Sequence, residues 1–472
     1  MLSASFLEQF SPLDNRELDR LLQKEIQKDR KKLVVLDDDP TGTQTVHDVS
    51  VYTDWSLDSV RQGFEEPDKL FFILTNSRSF TAEQTVKAHQ EIAAAVAEAA
   101  RETGKSYLIL SRSDSTLRGH YPLETQILKE SMDKNGVPTD GEILCPFFKE
   151  GGRFTIDNIH YVKQGSMLIP AAETEFSRDP TFGYSNSSLP EYVEEKTHGA
   201  YKASGVTCIS LKDLRGMNLD KIQSQLESVS EFGKICVNAV DYCDIKVFAI
   251  ALYRAMAGGK TFLFRTASSL VRVLGGIKDV PLLSRKDIAP LSTRCGGVVV
   301  IGSHTQKTNA QLRELLKLDN LVPIEFHSDL VLGSDEVWEA EITRCVAEEE
   351  NAILAGKTAV CFTNRRALAI SCDSPEDALR RSVKISDGLQ SLIGRLQTTP
   401  SFVLAKGGIT SSDVGTKALK VRRANVMGQI CPGVPVWRTG EESRFPFIPY
   451  VIFPGNVGET STLREAVEIF LS

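Results

Sequence analysis

The stretch that decides the fold is Leu33-Val-Val-Leu-Asp-Asp-Asp-Pro-Thr-Gly-Thr43. Its apolar run is typical of a buried strand in a parallel sheet, and three adjacent aspartates follow at once. Ligands of open α/β sheets bind outside the carboxyl ends of the strands, where this acidic group would lie. In an extended chain Asp37 and Asp39 would point one way and Asp38 the other. A solvated acidic loop is the alternative interpretation.

Short apolar runs alternate with longer helical patterns along most of the chain. The candidate strands are 33–36, 70–74, 107–110, 141–145, 234–237, 261–265, 297–301, 359–362 and 402–405. Between them, segments such as 81–101 and 308–318 have apolar residues three and four positions apart, as amphipathic helices do. This alternation predicts an α/β fold of two domains, each built on a mainly parallel sheet flanked by helices.

The length of 472 residues is too great for a single compact core, so we expect two domains. The stretch 279–295 has no strong periodicity and predicts the boundary, giving domains at 1–285 and 286–472. Residues 1–32 are expected to form a helical extension of the first domain. Residues 147–200, rich in Gly, Ser, Thr and Tyr, predict loops and short hairpins.

The composition excludes several classes of protein. A net charge of -7 and a pI near 5.7 provide no basic field for a nucleic-acid partner. The nine cysteines are scattered without a CxxC pair, which favours a reducing compartment over a disulfide framework. The histidines lack metal-ligand spacing, so no transition-metal site is predicted. A charged N-terminus and the lack of a long apolar run predict a cytoplasmic protein without a signal peptide or membrane span.

Three Gly-Lys-Ser/Thr triplets suggest phosphate loops, but the residues before them argue against this. They begin at Gly104, Gly259 and Gly356, and each lacks the second glycine that a Walker loop needs five residues earlier. Each triplet also follows a helical pattern and precedes a strand, whereas a phosphate loop has the reverse order. We therefore predict that these glycines end helices.

Loops with the correct strand-to-helix order occur in the second domain. Lys406-Gly-Gly-Ile-Thr410 places Gly407 and Gly408 where backbone N–H groups can approach an anion, and Thr410 adds a hydroxyl. Gly302-Ser303 follows another strand, and Gly455 lies before the last helix. Each loop alone could be an ordinary capped helix. Three in one domain predict a nucleotide-phosphate site.

Strand ends in the first domain predict a site for a small, oxygen-rich acid. The loop after strand 107–110 contains two arginines, a carboxylate and two hydroxyls: Arg112, Asp114, Ser115, Thr116 and Arg118. Arg78 follows another strand, and Arg153 comes from the irregular region. Arginine forks bind carboxylates in pairs of hydrogen bonds. The alternative is a surface loop whose Arg and Asp merely pair with each other.

An ordered set of motifs resembles the four-carbon acid sugar kinase family, whose members phosphorylate 3-oxotetronate, D-threonate or D-erythronate. The set is Asp38-Asp-Pro-Thr-Gly42, Asn76-Ser-Arg78, Asp114-Ser-Thr-Leu-Arg-Gly119, Gly302-Ser303 with Thr308 and Gln311, Lys406-Gly-Gly-Ile-Thr410, Pro432-Gly-Val-Pro435 and Pro454-Gly-Asn-Val-Gly458. Its most specific part is Asp-Ser-Thr-Leu-Arg-Gly. The family commonly has Ala-Asp-Asp-Leu-Thr-Gly-Ala where this chain has Asp37-Asp-Asp-Pro-Thr-Gly-Thr43, which leaves the acceptor open.

The resemblance implies a sugar-acid-binding N-terminal domain and an ATP-binding C-terminal domain, with Mg²⁺ accompanying ATP. It implies substrate contacts at Asp38, Asp39, Arg78, Arg112, Asp114, Ser115, Thr116 and Arg118, and nucleotide contacts at Ser303, Gly407, Gly408, Ile409, Thr410 and Gly455. Asp38 or Asp39 would accept the proton of the acceptor's terminal hydroxyl. Which arginine holds the substrate carboxylate stays open.

Two other functions remain open at this point. The protein could be a kinase of another small hydroxy acid or polyol, or a sugar-acid sensor on the same scaffold that transfers no phosphate. The partners expected are a small sugar acid and ATP, with no nucleic acid and no membrane. The protein could also form a homodimer, and the sequence leaves the oligomeric state open.

Overall fold

The computed structural model describes residues 1–11, 13–288, 295–365, 368, 375–455 and 457–471, and its contacts divide the chain into two compact units. The N-terminal unit comprises Met1–Gly42 and Asp54–Asp279, and the C-terminal unit comprises Thr43–Thr53 and Val280–Ser472. Both units combine a sheet with flanking helices, which confirms the predicted two-domain α/β architecture.

The helices of the N-terminal unit are α1 (Asn15–Lys28), α2 (Leu57–Glu65), α3 (Ala82–Thr103), α4 (Leu123–Lys134), α5 (Leu189–Lys196), α6 (Leu211–Arg215), α7 (Leu219–Glu227), α8 (Tyr242–Ala257) and α9 (Ser268–Leu274). Those of the C-terminal unit are α10 (Arg285–Ile288), α11 (Gln306–Leu315), α12 (Asp335–Leu354), α13 (Pro375–Arg395), α14 (Gly408–Asp413) and α15 (Thr462–Leu471). No helix among these is long and apolar enough to cross a membrane.

The strands are β1 (Leu2–Ser3), β2 (Lys32–Asp37), β3 (Val49–Tyr52), β4 (Leu70–Leu74), β5 (Tyr107–Arg112), β6 (Gly141–Cys145), β7 (Arg153–Ile156), β8 (Ile159–Gln164), β9 (Met167–Pro170), β10 (Thr207–Ile209), β11 (Gly233–Val237), β12 (Phe262–Thr266), β13 (Val298–Ile301), β14 (Leu321–Phe326), β15 (Thr358–Thr363), β16 (Val403–Lys406), β17 (Arg423–Cys431), β18 (Val434–Thr439) and β19 (Pro449–Phe453). Of these, β3 and β13–β19 belong to the C-terminal unit.

The N-terminal unit is built on a parallel sheet in the order β10-β11-β6-β12-β5-β2-β4. Its inner strands are apolar along their length because helices cover both faces of such a sheet. In β2, for example, Leu33, Val34 and Val35 are completely buried. The region predicted to contain hairpins forms β7–β9 of a smaller antiparallel sheet, β1-β9-β8-β7, whose edge strand β1 comes instead from the predicted helical extension.

Local sequence signals set the ends of the long helix α3. Thr81 caps its first turn in a capping box with Gln84, and Gly104 ends it in the left-handed conformation, with φ of 66°. Gly259 and Gly356 likewise have positive φ, at 101° and 72°, just after α8 and α12. The three Gly-Lys-Ser/Thr triplets therefore end helices, as predicted.

The N-terminal extension forms α1, which packs on α8 through Lys246–Asp19 and Arg254–Glu25 ion pairs at 2.6 and 3.3 Å. This helix ends at Lys28, before the end of the predicted extension at residue 32. Lys32 instead begins β2, where it is buried and donates to the carbonyl of Glu66 at 2.9 Å.

The C-terminal unit has a sheet in the order β3-β17-β18-β19-β16-β13-β15-β14. The pairs from β19 to β14 are parallel, and those from β3 to β19 are antiparallel. Phe402 and Phe470 stack at 4.0 Å between ring centroids in the core of this unit.

The predicted first domain, 1–285, was contiguous, but residues 43–53 belong to the C-terminal unit. The antiparallel part of its sheet explains this. β3 pairs with β17, and the indole of Trp437 donates to Thr43 Oγ1 at 3.0 Å. β17 alternates between buried and more exposed residues, but such a local pattern does not show which distant strand it pairs with. The second boundary falls at Asp279–Val280, close to the expected position, and residues 289–294 of that stretch lie outside the described residues.

The buried Glu349 of α12 makes the stability of the C-terminal unit dependent on pH. Neither of its carboxylate oxygens has a hydrogen-bond partner among the described residues, and burial raises the pKa of Glu349 to about 8. An unfolded chain ionises this group near its ordinary pKa of 4.5. Glu349 therefore makes its full contribution to stability below pH 4.5, and this contribution is lost as the pH rises through about 8, by at most about 5 kcal/mol.

We predict that Glu349→Gln, which resembles the protonated acid, flattens the decline in stability between pH 5 and 8. Urea unfolding followed by tryptophan fluorescence measures this, since Trp338 and Trp437 lie in the C-terminal unit. The control is Glu348→Gln, which changes an exposed neighbour on the same helix. Equal pH dependence in wild type and Glu349→Gln would contradict the prediction.

Candidate functional site

The carboxyl ends of neighbouring parallel strands bring the acidic stretch and the arginines together. β12, β5, β2 and β4 are adjacent in the N-terminal sheet. Asp37 ends β2, Arg112 ends β5, and Arg78 follows β4 in a short 3-10 helix at Ser77–Ser79. Because parallel strands end at the same edge of a sheet, these side chains meet there.

Two guanidinium groups hold the three aspartates. Arg78 donates from Nη2 and Nε to both oxygens of Asp38, at 2.7 and 3.2 Å, and from Nη1 to Asp39 at 3.2 Å. Arg112 donates from Nη1 to Asp37 at 2.9 Å and to Asp38 at 3.5 Å. Asp37 and Asp38 are buried. The acidic stretch is therefore an ion-pair cluster and not a solvated loop.

The expected alternation of the aspartate side chains is not observed. Asp38 and Asp39 contact the same guanidinium, and Asp37 and Asp38 contact Arg112. The reason is that β2 ends at Asp37, so the alternation of an extended strand does not continue beyond it.

The three carboxylates differ in charge state. Burial raises the pKa of Asp37 to about 7. Burial also raises the pKa of Asp38, although Arg78 and Arg112 oppose the shift. For Asp39 burial acts in the same direction, but the same two arginines outweigh it and hold the pKa below its ordinary value. The Asp39 side chain is 16% exposed, against 3% for Asp38. Asp39 is therefore the ionised carboxylate that a ligand can reach.

The turn after the aspartates requires glycine. An ideal Cβ on Gly42 would lie 2.0 Å from Oδ2 of Asp37, far inside van der Waals contact. Glycine at this position lets the backbone pass directly over the buried carboxylate.

A second ion pair lies in the loop after β5. Arg118 donates from Nε to Asp114 at 2.8 Å, and the Thr116 hydroxyl also donates to Asp114. Burial opposes ionisation here, but Arg118 and Arg78 hold the pKa of Asp114 well below its ordinary value. Arg78 therefore acts on both Asp114 and the aspartate cluster, and the predicted substrate residues of this unit lie near one another.

Buried side chains fix the backbone of this loop. The hydroxyls of Tyr184 and Tyr192 donate to the carbonyls of Thr116 and Leu117, each at 2.8 Å. His160 Nε2 lies 2.7 Å from the carbonyl oxygen of Ser115, so Ser115 contributes its backbone to this packing. Such anchoring keeps the polar side chains of the loop in one arrangement.

Sequence analysis missed the residues that support this loop from β12 and α4. Arg265 donates from Nη2 to the carbonyl of Arg118 at 2.7 Å, and its Nη1 lies 3.6 Å from Glu124. Glu124 in turn accepts from Ser77 at 2.6 Å, next to Arg78. The available signal was a charged residue at the end of an otherwise apolar strand, the predicted strand at 261–265.

In the C-terminal unit, the loops after β13 and β16 lie side by side. Thr410 Oγ1 is 2.4 Å from the place of an ideal Cβ on Gly302, so Gly302 provides the space for it. Gly407 has φ of 118° and ψ of 145° and leads into α14 at Gly408. Ser303 lies on the Gly302 loop, and its Oγ accepts from Thr308 at 3.1 Å. Ser303, Gly407, Gly408 and Thr410 are thus brought together.

The loop that contains Gly455 joins them through Lys406 and Gln311. Lys406 donates from Nζ to the carbonyl of Pro454 at 3.2 Å, and burial lowers the pKa of Lys406 to about 7. Gln311 donates to the carbonyls of Val457 and Glu459 at 3.2 and 2.8 Å. An ideal Cβ on Gly455 would meet no atom within 4 Å. Asn456 of this motif lies outside the described residues.

These loops offer N–H groups and hydroxyls suited to a phosphate group, and an apolar side chain suited to the ring of a nucleobase. The first N–H groups of α14 have no acceptor within the helix, and Ser303 and Thr410 place hydroxyls nearby. Ile409 is 69% exposed, which leaves an apolar side chain available beside the loop. The described residues contain no group of three or more His, Cys, Asp or Glu arranged to hold a metal ion.

Comparison with known proteins agrees with this division. A model of a sugar-binding N-terminal domain matches residues 33–274, and a model of a nucleotide-binding C-terminal domain matches residues 298–463. None of the curated proteins compared with the chain matches it.

Two solved structures have the same fold. A Salmonella typhimurium LT2 protein, provisionally named a tRNA synthase, is 19% identical with a TM-score of 0.67, covering 92% of this chain and 98% of its own. A Haemophilus influenzae protein of the DUF1537 family is 18% identical with a TM-score of 0.59, covering 93% of this chain and 100% of its own. At these identities the similarity concerns the fold alone.

The two domain models cover the regions in which the sequence motifs of the sugar-acid and nucleotide sites occur. The first model alone spans more than half of the 472 residues. The chain therefore belongs to the family in which this sugar-binding N-terminal domain is joined to a nucleotide-binding C-terminal domain.

Proposed function

We propose that this protein is an ATP-dependent kinase that phosphorylates the terminal hydroxyl of a four-carbon sugar acid, a tetronate or 3-oxotetronate. The observation that carries the proposal is Asp39, an ionised and partly exposed carboxylate held by Arg78 at the strand ends of the sugar-binding domain. An acceptor hydroxyl needs such a group to align it and to take its proton.

The nucleotide half of the proposal is supported by the three adjoining loops of the C-terminal unit. The backbone amides after Gly407 and the hydroxyls of Ser303 and Thr410 would bind phosphate oxygens, and Ile409 would cover an apolar face of the nucleotide. When bound with Mg²⁺, ATP supplies the phosphoryl group, and the metal neutralises part of its charge.

In the N-terminal unit the chain's own residues orient the acceptor. Asp114 and Thr116 are suited to hydrogen bonds with sugar hydroxyls, because they already form a polar pair held by Arg118. Asp39 takes the proton from the terminal hydroxyl oxygen as that oxygen attacks phosphorus. Phosphoryl transfer depends mainly on this positioning and on charge stabilisation.

The first experiment is to incubate the purified protein with MgATP and a panel of tetronic and 3-oxotetronic acids. ADP release is measured together with the phosphorylated product by mass spectrometry. A phosphorylated four-carbon acid supports the proposal and identifies the substrate. ATP binding without any product from the panel would contradict it and favour another hydroxy acid, a polyol or a sensor.

We predict that Asp39→Asn lowers turnover by about 100-fold or more, the usual effect of losing a general base, with little change in ATP affinity. The fold should be kept, because Asp38 still pairs with Arg78. Steady-state kinetics and calorimetric titration with MgATP measure the two effects. The matched control is Asp58→Asn, on the exposed surface of α2. Turnover within about threefold of wild type would show that Asp39 is not the base.

We predict that Asp38→Asn, unlike Asp39→Asn, mainly lowers the stability of the fold. Asp38 is buried, and both of its oxygens accept from Arg78, so the substitution breaks a buried ion pair. Loss of one partner of such a pair typically costs about 3–5 kcal/mol. We expect a clearly lower unfolding temperature by calorimetry than for Asp39→Asn. Equal stability of the two variants would contradict the distinct roles assigned to these neighbouring residues.

We also predict that Gly407→Ala weakens MgATP binding by about tenfold or more. The backbone at φ of 118° strains any residue with a Cβ, at a cost of about 1–3 kcal/mol. The space itself is adequate, since the nearest atom to an added Cβ, Thr410 Oγ1, is 3.5 Å away.

Calorimetric titration of MgATP into the full-length protein measures this effect. Gly394→Ala in α13 is the control, because its Cβ would also make only ordinary contacts, at 3.5 Å or more. Unchanged MgATP affinity in Gly407→Ala would argue against this loop as the phosphate site.

A further inference from the structure

The guanidinium of Arg153, the first residue of β7, is not paired with a carboxylate among the described residues. Its Nε is buried without a hydrogen-bond acceptor, and the group makes no ion pair with any described residue. Burial lowers the pKa of Arg153, and nearby Asp114 opposes the shift. Leaving a half-buried cation without an ion pair is unfavourable, so a site of this kind calls for an anionic ligand.

The other arginines of the site are already matched by carboxylates. Arg78 uses Nε, Nη1 and Nη2 on Asp38 and Asp39. Arg112 pairs with Asp37 and Asp38, as described above. These two guanidiniums face three carboxylates, which would repel the carboxylate of an acidic substrate. They are therefore poorly suited to bind a further carboxylate.

Arg153 lies at the edge of the loop that contains Asp114 and Arg118. Its Cζ is 5.6 Å from the centroid of the Phe176 ring, and the Cζ of Arg118 is 5.0 Å from the same centroid. Both guanidiniums thus pack on one aromatic ring, which restricts their motion. Arg118 already binds Asp114 through Nε, whereas Arg153 has its whole fork available.

The β7–β8 hairpin holds Arg153 in place beside this loop. Thr155 Oγ1 lies 3.0 Å from His160 Nδ1, and His160 Nε2 lies 2.7 Å from the carbonyl oxygen of Ser115. Burial lowers the pKa of His160 to about 4, so this histidine is neutral and adds no competing cation at physiological pH. The hairpin therefore presents one unpaired cation to the loop.

We propose that Arg153 binds the carboxylate of the acceptor acid and makes the site selective for a carboxylic acid over a neutral polyol or amide. This inference rests on the proposed kinase function and extends it. Guanidinium and carboxylate form two parallel hydrogen bonds, a geometry that a lysine or glutamine cannot reproduce. Asp114 and Thr116 of the adjacent loop would then contact the hydroxyls of the same molecule.

The test compares a four-carbon acid with its primary amide, using wild type and Arg153→Gln. Calorimetric titration gives affinity in the absence of nucleotide, and steady-state assays with MgATP give kcat and KM. We expect Arg153→Gln to weaken acid binding by about 100-fold, as for loss of a bidentate charged pair, while amide binding changes little. The value of kcat at saturating acid should stay within about fivefold of wild type, because the reacting hydroxyl is at the other end of the acceptor.

Two further variants separate binding from folding. Arg178→Gln removes an exposed arginine from the 3-10 helix Glu175–Arg178 that carries Phe176, and it should leave the preference for acid unchanged. Arg153→Lys keeps the charge without the fork and should lose only part of the preference. Because Arg153 makes no hydrogen bond or ion pair with a described residue, Arg153→Gln should not lower the unfolding temperature. A marked decrease would indicate a structural role and overturn the inference.

The remaining outcomes distinguish this inference from the proposed function. If wild type phosphorylates a four-carbon acid and Arg153→Gln keeps the same preference for acid over amide, the inference fails and the kinase function stands. If wild type binds the acid through Arg153 but never phosphorylates it, the kinase function fails and the carboxylate site stands. If wild type neither binds nor phosphorylates any acid of the panel, both fail.

Discussion

The N-terminal unit depends on the compensation of three adjacent carboxylates at the end of one strand. Asp37 and Asp38 are buried at the edge of the sheet, where an unpaired charge would be strongly unfavourable. Arg78 and Arg112 supply the compensating charge from the two strands that neighbour β2. The pKa values of these acids differ: burial raises that of Asp37 to about 7, whereas Arg78 and Arg112 hold that of Asp39 below its ordinary value, and Asp39 is partly exposed.

The same balance explains why the candidate acceptor site extends beyond the aspartates. Asp114 is paired with Arg118 in the next loop, and the small antiparallel sheet adds Arg153, which makes no ion pair with a described carboxylate. The parallel sheet thus provides a nearly neutral cluster suited to hydroxyl groups. The added hairpin provides the cation that an acidic substrate requires. The hairpin would then bind the carboxylate of the acid, and the ends of the parallel strands would align its hydroxyl.

The candidate anion site of the C-terminal unit relies on backbone N–H groups rather than on charged side chains. Its loops bring glycines and hydroxyls together at the ends of β13, β16 and β19. Lys406 and Gln311 donate hydrogen bonds to backbone carbonyls of the loop after β19. Backbone N–H groups are fixed donors that need no side-chain ordering when an anion binds. The unusual backbone of Gly407 is one place where the chain accepts a conformation that other residues avoid.

The sequence alone determined nine strands and several helix ends, because apolar runs, caps and glycines act over a few residues; β3, β14 and β17–β19 of the C-terminal unit were not predicted. The predicted strands and α3 with its capping box are examples. Only the tertiary structure decided which charges neutralise each other, that Asp38 and Asp39 share Arg78, and that residues 43–53 pair with β17. It also decided that Arg153 packs on Phe176 without an ion pair to any described residue. Such facts depend on burial and on contacts between distant segments, and no local pattern encodes them.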